Sequence, residues 1–393
     1  MSFGGPVAQI GVMQRELVEH RGWLSEAEFL KGLSFAMLLP GPEALQLAIY
    51  AGWRLRGIPG GLVAGLLFIL PGALVMAGLA WAYGRWGAMP ALEPAFLGIK
   101  ALVIVVLVQA LGRLGSRALR RPLHHLLALA ALLAIAVAGL PFPLVVALAA
   151  LAGLLWGQAP GAAPASATPG LRAPLTAGIG FLALWLAPLA LLWAAGATRL
   201  LDIGLFFSRL AVVSFGGAYA ALAYTAQAAV ETEGWLTAAQ MVDGLGLAET
   251  TPGPLILVTQ FVGYLAGFGA GGAALGFAAT AITLWAVFLP SFLLVFTLAP
   301  FLERVTAQPR ITAAMEGISA AIVGVIAALG VYFATHVLFT AVAPSDLPDP
   351  ANLSPIALGL VALAALLLAR LRLPLPAALA AMAGAGALSG LIG

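Results

Sequence analysis

The chain has 393 residues, of which 62% are hydrophobic and only 8% are charged. Soluble domains carry roughly 25% charged residues, so this composition excludes a water-soluble globular protein. The formal net charge of +3 is small, and the absence of cysteine excludes disulfides and thiolate metal sites. Continuous apolar runs reach ~18 residues or more, the length that spans a bilayer core. We therefore predict an all-α polytopic membrane protein.

The N-terminal part of the chain contains two breaks in otherwise apolar sequence. The letters SFGGP occupy residues 2–6, and LPGPE occupies residues 39–43. About two helical turns precede the second break and about three follow it, so neither piece spans a bilayer alone. The pieces form either one broken span or a re-entrant hairpin. The hairpin is favoured because it keeps the Arg and Lys clusters of this half on one side.

Full transmembrane spans are predicted after this segment, each from a continuous apolar run. In the first half they lie near residues 60–83, 93–112, 122–140 and 142–157. A stretch rich in Pro, Ala, Gly and Ser then predicts a flexible linker, which a connecting span follows. The connecting span and those of the second half lie near residues 177–196, 275–300, 311–336, 354–369 and 373–391.

The second half of the chain repeats the first. The letters SFGG return at residue 214, and the spacing holds without a gap from Trp23 and Trp235 to Pro-Gly-Pro at 40–42 and 252–254. Further along, FILPG matches VFLPS and GIKA matches GISA, in the same order. Glycine, tryptophan and proline at matching positions argue against a chance resemblance between apolar segments. We predict two homologous halves.

The basic residues of the first motif have no basic counterparts in the second. Three positions change in this way, from Arg15, Arg21 and Lys31 to Gln227, Glu233 and Asp243. Because cytoplasmic loops carry excess Lys and Arg, this opposite bias predicts an inverted repeat with broken or re-entrant helices. The predicted domains are a first half at residues 1–157, a linker with a connecting helix at 158–200, and a second half at 201–393.

The breaks themselves predict an anion site. Irregular backbone at membrane depth persists only where it is buried in protein or lines a polar cavity. Each break exposes helix-end N–H groups that carry about half a positive charge, and opposed helix ends across an inverted repeat bind anions near the midplane. A simple proline kink is the alternative. Amide and cationic side chains on nearby apolar stretches are further candidates, namely Gln9, Gln46, Gln109, Gln260 and Lys100.

Two carboxylates lie beside the breaks. Glu43 follows Pro42 directly, and Glu249 precedes the break at Thr251. A carboxylate inside a membrane is costly and is a functional candidate by default. Four roles are open for Glu43: it takes up a proton, it pairs with a cation such as Arg54, it repels a wrong substrate, or it caps its helix. Three roles are open for Lys100: it binds an anion, it neutralises Glu43, or it extends its ammonium group to the membrane surface.

The motifs resemble those of the chromate ion transporter family. MLLPGPEALQLAIYAGW and GIKA are similar to the first half of its long, two-domain members, and SFGGAYAAL and TTPGPLILVTQFVGYLAG to the second. The resemblance covers nearly the whole chain. Carried over by position, it implies substrate-binding roles for Phe3, Gly4, Gly5, Pro6, Pro40, Gly41, Pro42, Gln46, Lys100, Phe215, Gly216, Gly217, Pro252, Gly253 and Pro254. To these we add Gln9 and Thr251, with Glu43 and Glu249 as coupling candidates.

The sequence departs from the family pattern in two places. Gln9 stands where many members have histidine. The second motif is preceded by an apolar helix, LDIGLFFSRLAVV, whereas the first motif begins with the chain at Met1. We expect either a start that is misassigned or truncated, or an incomplete first half-site.

The resemblance implies a secondary transporter that exports chromate from the cytoplasm across the bacterial inner membrane and confers chromate resistance. The expected partners are a small inorganic oxyanion and the lipid bilayer; a homodimer is one alternative for the assembly. We expect no cofactor, metal, nucleic acid or enzymatic activity. The alternatives are a transporter of sulfate or another small anion, and, in another class, a non-transporting membrane sensor or a membrane enzyme.

Overall fold

A computed structural model describes residues 5–87, 89–157, 170–215, 217–302, 306, 308–340 and 349–391. These residues are helical apart from turns and one isolated bridge between Phe339 and Leu353. The helices of the first half are α1 (Gly5–Gln14), α2 (Glu26–Ala36), α3 (Glu43–Trp86), α4 (Glu93–Ala118), α5 (Pro122–Ala136) and α6 (Phe142–Trp156). The connecting helix is α7 (Arg172–Ala194). The remaining helices are α8 (Thr198–Val213), α9 (Ala218–Thr225), α10 (Ala238–Thr250), α11 (Val258–Leu298), α12 (Pro309–Leu338), α13 (Pro355–Ala365) and α14 (Leu375–Ser389).

The α2 helix and the start of α3 form an antiparallel hairpin whose tip is the Pro-Gly-Pro break. Arg54 Nη2 lies 2.9 Å from Glu28 Oε1 at the open end. Midway, Gly32 lies directly against the ring of Tyr50 because it has no side chain. A capping box between Ser25 and Glu28 begins α2. The structure therefore has the predicted hairpin, and not one broken span.

The α3 helix reverses direction at Arg56 and Gly57. Gly57 has φ +64°, which glycine adopts without steric cost. After the turn the chain runs back along itself, so that Gly52 touches the backbone of Gly60. The label α3a is used for residues 43–55 and α3b for residues 58–86, and α3b contains the predicted span at 60–83.

The second half repeats this arrangement. A capping box between Thr237 and Gln240 begins α10, and Gly244 lies against the ring of Phe261. The α11 helix folds back at Gly272, whose φ is +74°. The two parts are α11a (258–270) and α11b (273–298). The repeated motifs thus produce the same hairpin and the same fold-back in both halves.

The two halves exchange their packing partners. The α4 helix of the first half packs against α13 and α14 of the second, and α12 packs against α5 and α6 of the first. Close backbone contact at glycines makes this possible, since a Cβ on Gly98 would overlap the Met382 carbonyl and one on Gly317 would overlap that of Ala149. The long α3 and α11 pack on each other, and α11 is also covered by α7 and α8.

Five helical segments of the described chain are long and apolar enough to cross a membrane. They are Glu43–Trp86, Pro90–Ala118, Arg172–Ala194, Leu255–Phe301 and Pro309–Leu338. Four other apolar helices predicted as full spans are shorter, between 10 and 17 residues, namely Pro122–Ala136, Phe142–Trp156, Pro355–Arg370 and Leu375–Ser389. At 1.5 Å per residue these helices are shorter than the ~30 Å bilayer core. Two of them match the predicted ranges 142–157 and 354–369, whereas the other two are shorter than the predicted 122–140 and 373–391.

Candidate functional site

The two Pro-Gly-Pro breaks contact the opposite half of the chain. The Gly41 amide donates a hydrogen bond of 2.9 Å to the Ser214 carbonyl, at the start of the second SFGG motif. The Gln9 side-chain amide donates to the Gly253 carbonyl of the second break. Gly72 leaves room for the Pro252 carbonyl, which a Cβ at this position would overlap. Each break is therefore held by residues of the other half.

Local hydrogen bonds stabilise the irregular backbone. Gln46 is fully buried, and its side-chain amide donates a hydrogen bond of 2.6 Å to the Pro40 carbonyl within the first break. The Thr251 hydroxyl donates a hydrogen bond of 2.8 Å to the Ala248 carbonyl at the second break. The Gln260 side-chain amide donates a hydrogen bond of 2.8 Å to the Ala73 carbonyl, and this bond joins α11a to α3b. The donors on Gln46 and Thr251 satisfy carbonyls beside the two breaks, where the regular helical pairing ends.

A cavity of about 450 Å³ opens beside the first break, where Glu43 lies on its wall. Its walls come from α1, α2, the C-terminal part of α4, the second SFGG motif and α12. Most of the wall is apolar, and its polar side chains are those of Gln14, Glu43, Arg113, Arg117, Tyr219 and Ser319. A space of this size, with a few converging polar groups, is typical of a small-molecule site.

The charges in the cavity are two guanidinium groups and the Glu43 carboxylate. Arg113 and Arg117 lie four residues apart on α4, so they lie on the same face of the helix. Arg117 interacts electrostatically with Glu43. The Glu43 carboxylate also lies beside Gly217, where a Cβ would be 3.4 Å from Oε1. Two positive charges therefore face one negative charge across an apolar space.

Glu249 lies behind this wall. It is only 6% exposed, and its Oε1 atom has no hydrogen-bond partner among the described residues. Arg113 interacts electrostatically with both Glu249 and Tyr219. Both predicted carboxylates, one from each half, are thus linked to the arginines of α4.

Lys100 lies elsewhere on α4 and outside the cavity wall. Its Nζ atom is 3.3 Å from Asp243 Oδ1 on α10, and Asp243 Oδ2 accepts a hydrogen bond of 2.7 Å from the Tyr83 hydroxyl. Asp243 is 4% exposed. Lys100 of the first half is therefore paired with a carboxylate of the second.

The other predicted positions lie in several parts of the structure. Phe3, Gly4 and Gly216 lie outside the described residues, while Gly5 and Pro6 form the first turn of α1. Pro40, Gly41, Pro42, Thr251, Pro252, Gly253 and Pro254 form the two breaks, and Phe215 packs against the core. Glu43 and Gly217 line the cavity. Arg54, suggested as a partner of Glu43, pairs with Glu28 instead, because the hairpin puts Arg54 at its open end.

Three of the polar cavity residues, Arg113, Arg117 and Tyr219, were not among the site residues predicted from the sequence. The arginines belong to a basic cluster that continues through Arg120 and Arg121, and such clusters commonly set membrane orientation. The available signal was the spacing of four residues within an apolar helix, which puts the first two on one face. Within the described residues, no group of three His, Asp or Glu side chains is placed to hold a metal ion.

Comparison with known proteins gives the family. The model of the Chromate transporter family matches residues 1–154 and 201–388. The chromate transport protein of Pseudomonas aeruginosa is 36% identical over 342 residues, which is 84% of this chain and 76% of the relative.

Two further relatives have similar coverage. The chromate transport protein of Cupriavidus metallidurans is 33% identical over 330 residues, covering 83% of this chain and 77% of the relative. A probable chromate transport protein of Synechococcus elongatus is 30% identical over 350 residues, covering 83% and 79%. No solved structure matches. With both halves matched in order, this multi-pass helical membrane protein belongs to the chromate transporter family.

Proposed function

We propose that this protein is a secondary transporter that exports chromate, or a similar tetrahedral oxyanion, from the cytoplasm across the inner membrane and so confers chromate resistance. The observation that carries the proposal is the cavity whose wall combines Arg113 and Arg117 with Glu43, directly after the first break, and Gly217 of the second SFGG motif. Family membership supports chromate as the substrate. Sulfate, a similar tetrahedral dianion, is the second candidate.

The proposed site combines charge with exposed backbone. Guanidinium groups bind oxyanions through two parallel hydrogen bonds, and two of them on one helix face balance a dianion. The helix that begins at Glu43, after the first break, supplies a helix end, and Gly217 of the second SFGG motif allows close backbone approach. Gln9, Gln46 and Thr251 hold the two breaks in shape through their hydrogen bonds.

The proposed transport cycle is alternating access between two inverted halves. Three kinds of contact are matched between the halves, which supports a two-fold relation. They are the hairpins, the fold-backs and the glycine contacts of α4 and α12. In inverted-repeat transporters, rocking of one half against the other exposes a fixed site to each side in turn.

The membrane potential is sufficient to drive export. A dianion that moves outward along an inside-negative potential releases about 4.6 kcal/mol per 100 mV. That corresponds to more than about three decades of concentration ratio. Export therefore requires no coupled ion. In this proposal Glu43 and Glu249 modulate anion binding, and a proton on either carboxylate is an additional means of coupling.

Transport in proteoliposomes tests the proposal. The purified protein is reconstituted, a potential is imposed, and uptake of chromate, sulfate and molybdate is compared. We expect Arg113→Gln and Arg117→Gln each to lower kcat/KM for chromate by about tenfold or more, since each removes a charged hydrogen-bond donor. The matched control is Arg120→Gln, from the same basic cluster but outside the cavity wall, with a change of about twofold or less.

Two results would contradict the proposal. If no oxyanion moves under any imposed potential, the protein is a sensor or an enzyme and not a carrier. If the two cavity variants and the control transport chromate equally well, the cavity is not the site. If sulfate is taken up in preference to chromate, the proposed substrate becomes sulfate and the proposed mechanism is unchanged.

A further inference from the structure

The Lys100–Asp243 pair lies in the region that corresponds, through the internal repeat, to the open cavity. By sequence alignment of the halves, α4 corresponds to α12 and α10 corresponds to α2, and Lys100 matches Ser319. In the open cavity, Leu33 of α2 and Ser319 of α12 lie on the walls. On the corresponding side, α10 packs directly on α4, and Gly246 lies against the side chain of Ile99. The groove that is open on one side is thus closed on the other.

The closed groove already holds an anionic group. The Asp243 carboxylate is 3.3 Å from the Lys100 ammonium and accepts a 2.7 Å hydrogen bond from Tyr83. The aromatic rings of Phe96 and Phe261 pack edge-on against Tyr83 and fix its position. An ammonium and a phenol hydroxyl that converge on one buried carboxylate offer the donors that an oxyanion needs.

We propose that Lys100 and Tyr83 form a second anion-binding position on the opposite access path, which Asp243 occupies in this conformation. When α10 moves away from α4, the transported oxyanion replaces the carboxylate on Lys100. The pair therefore closes the path while it is intact and provides the exit site when it is broken. This inference rests on the proposed function, and it assigns the Lys100 site to the conformation in which the path is open.

Substitution of Asp243 gives the first test. Asp243→Asn removes the competing charge, and the amide oxygen still accepts from Tyr83. Chromate entering from the side of this groove should then show a KM lower by about tenfold, the factor that one charged hydrogen bond supplies. Chromate should also raise the Tm of this variant more than that of the parent protein. An unchanged or higher KM would overturn the proposal.

An apolar replacement gives the second test. If the pair only holds α4 to α10, then Lys100→Met alone should lose transport. The double variant Lys100→Met with Asp243→Leu should then recover transport, because apolar residues replace buried ion pairs well. Under our proposal the double variant has a normal Tm and still transports chromate about tenfold more slowly or worse. Recovery of normal transport would refute the second site.

The control separates this inference from the proposed function. Glu28→Gln breaks an ion pair at the surface, with Arg54, and should leave transport unchanged. If Arg113→Gln abolishes transport while the double variant at Lys100 and Asp243 works normally, the transporter proposal stands and only the second site is lost. If the parent protein moves no anion, both are lost.

Discussion

At the scale of single residues, charged side chains of the described chain pair both at the surface and in the interior. Arg54 pairs with Glu28 at the surface, and Lys100 pairs with the buried Asp243. Arg113 and Arg117 differ, because they border an open cavity and their acidic neighbours lie across or behind its wall. Cations that face an apolar cavity attract an anion more strongly than cations on a surface exposed to water.

Glu43 provides a prediction at this scale. Its carboxylate shares the cavity with the two arginines, so it repels an anion that binds them. We expect Glu43→Gln to lower the KM for chromate by roughly tenfold at neutral pH, because one like charge is removed at close range. Uptake kinetics in proteoliposomes measure this. Glu16→Gln removes an exposed carboxylate that is paired with Arg21 and serves as the control; equal KM values for both variants and the parent would refute the role of Glu43.

At the scale of helices, close glycine contacts decide which helices meet. On α4, Gly98 contacts the backbone of α14 at Met382, and on α12, Gly317 contacts α6 at Ala149. A membrane interior offers little hydrophobic gain when helices associate, so close backbone packing supplies much of the attraction. The matching position of the two glycines in GIKA and GISA indicates that one packing solution is used twice.

These contacts predict a contrast between glycines on the same helices. Gly98→Ala and Gly317→Ala force a methyl group against a carbonyl oxygen and should each destabilise the protein by about 1–3 kcal/mol. Gly112→Ala on α4 and Gly330→Ala on α12 meet open space, and should be neutral or stabilising because alanine is the better helix former. Thermal unfolding of the purified protein in detergent measures the difference, and equal Tm values for all four would contradict this packing.

At the scale of the whole molecule, much of the architecture could be predicted from the sequence. Helical breaks, hairpins and span positions follow from local signals such as Pro-Gly-Pro, capping boxes and apolar runs. What could not be predicted depends on contacts between distant segments. The hydrogen bond from Gly41 to Ser214 and the pairing of Lys100 with Asp243 join residues far apart in sequence, so no local pattern encodes them.

The cavity illustrates the same limit from another direction. Arg113 and Arg120 belong to one basic cluster, and only the packing of α12, α1 and the second SFGG motif around α4 makes the first a cavity residue. Likewise, the apolar run beginning at residue 122 predicts a span to residue 140, whereas its helix ends at Ala136. A turn follows at Gly139, whose φ is +61°, and hydropathy does not report it.

The relative orientation of the halves is the last and broadest prediction. If the repeat is inverted, Arg21 and Glu233, which are equivalent in sequence, face opposite sides of the membrane. The chain contains no cysteine, so Arg21→Cys and Glu233→Cys each introduce a single labelling site at an exposed position. An impermeant thiol reagent added to sealed vesicles should label one variant from outside and the other only from inside. Labelling of both from the same side would overturn the inverted repeat and, with it, the proposal that the cavity and the closed groove are two ends of one path.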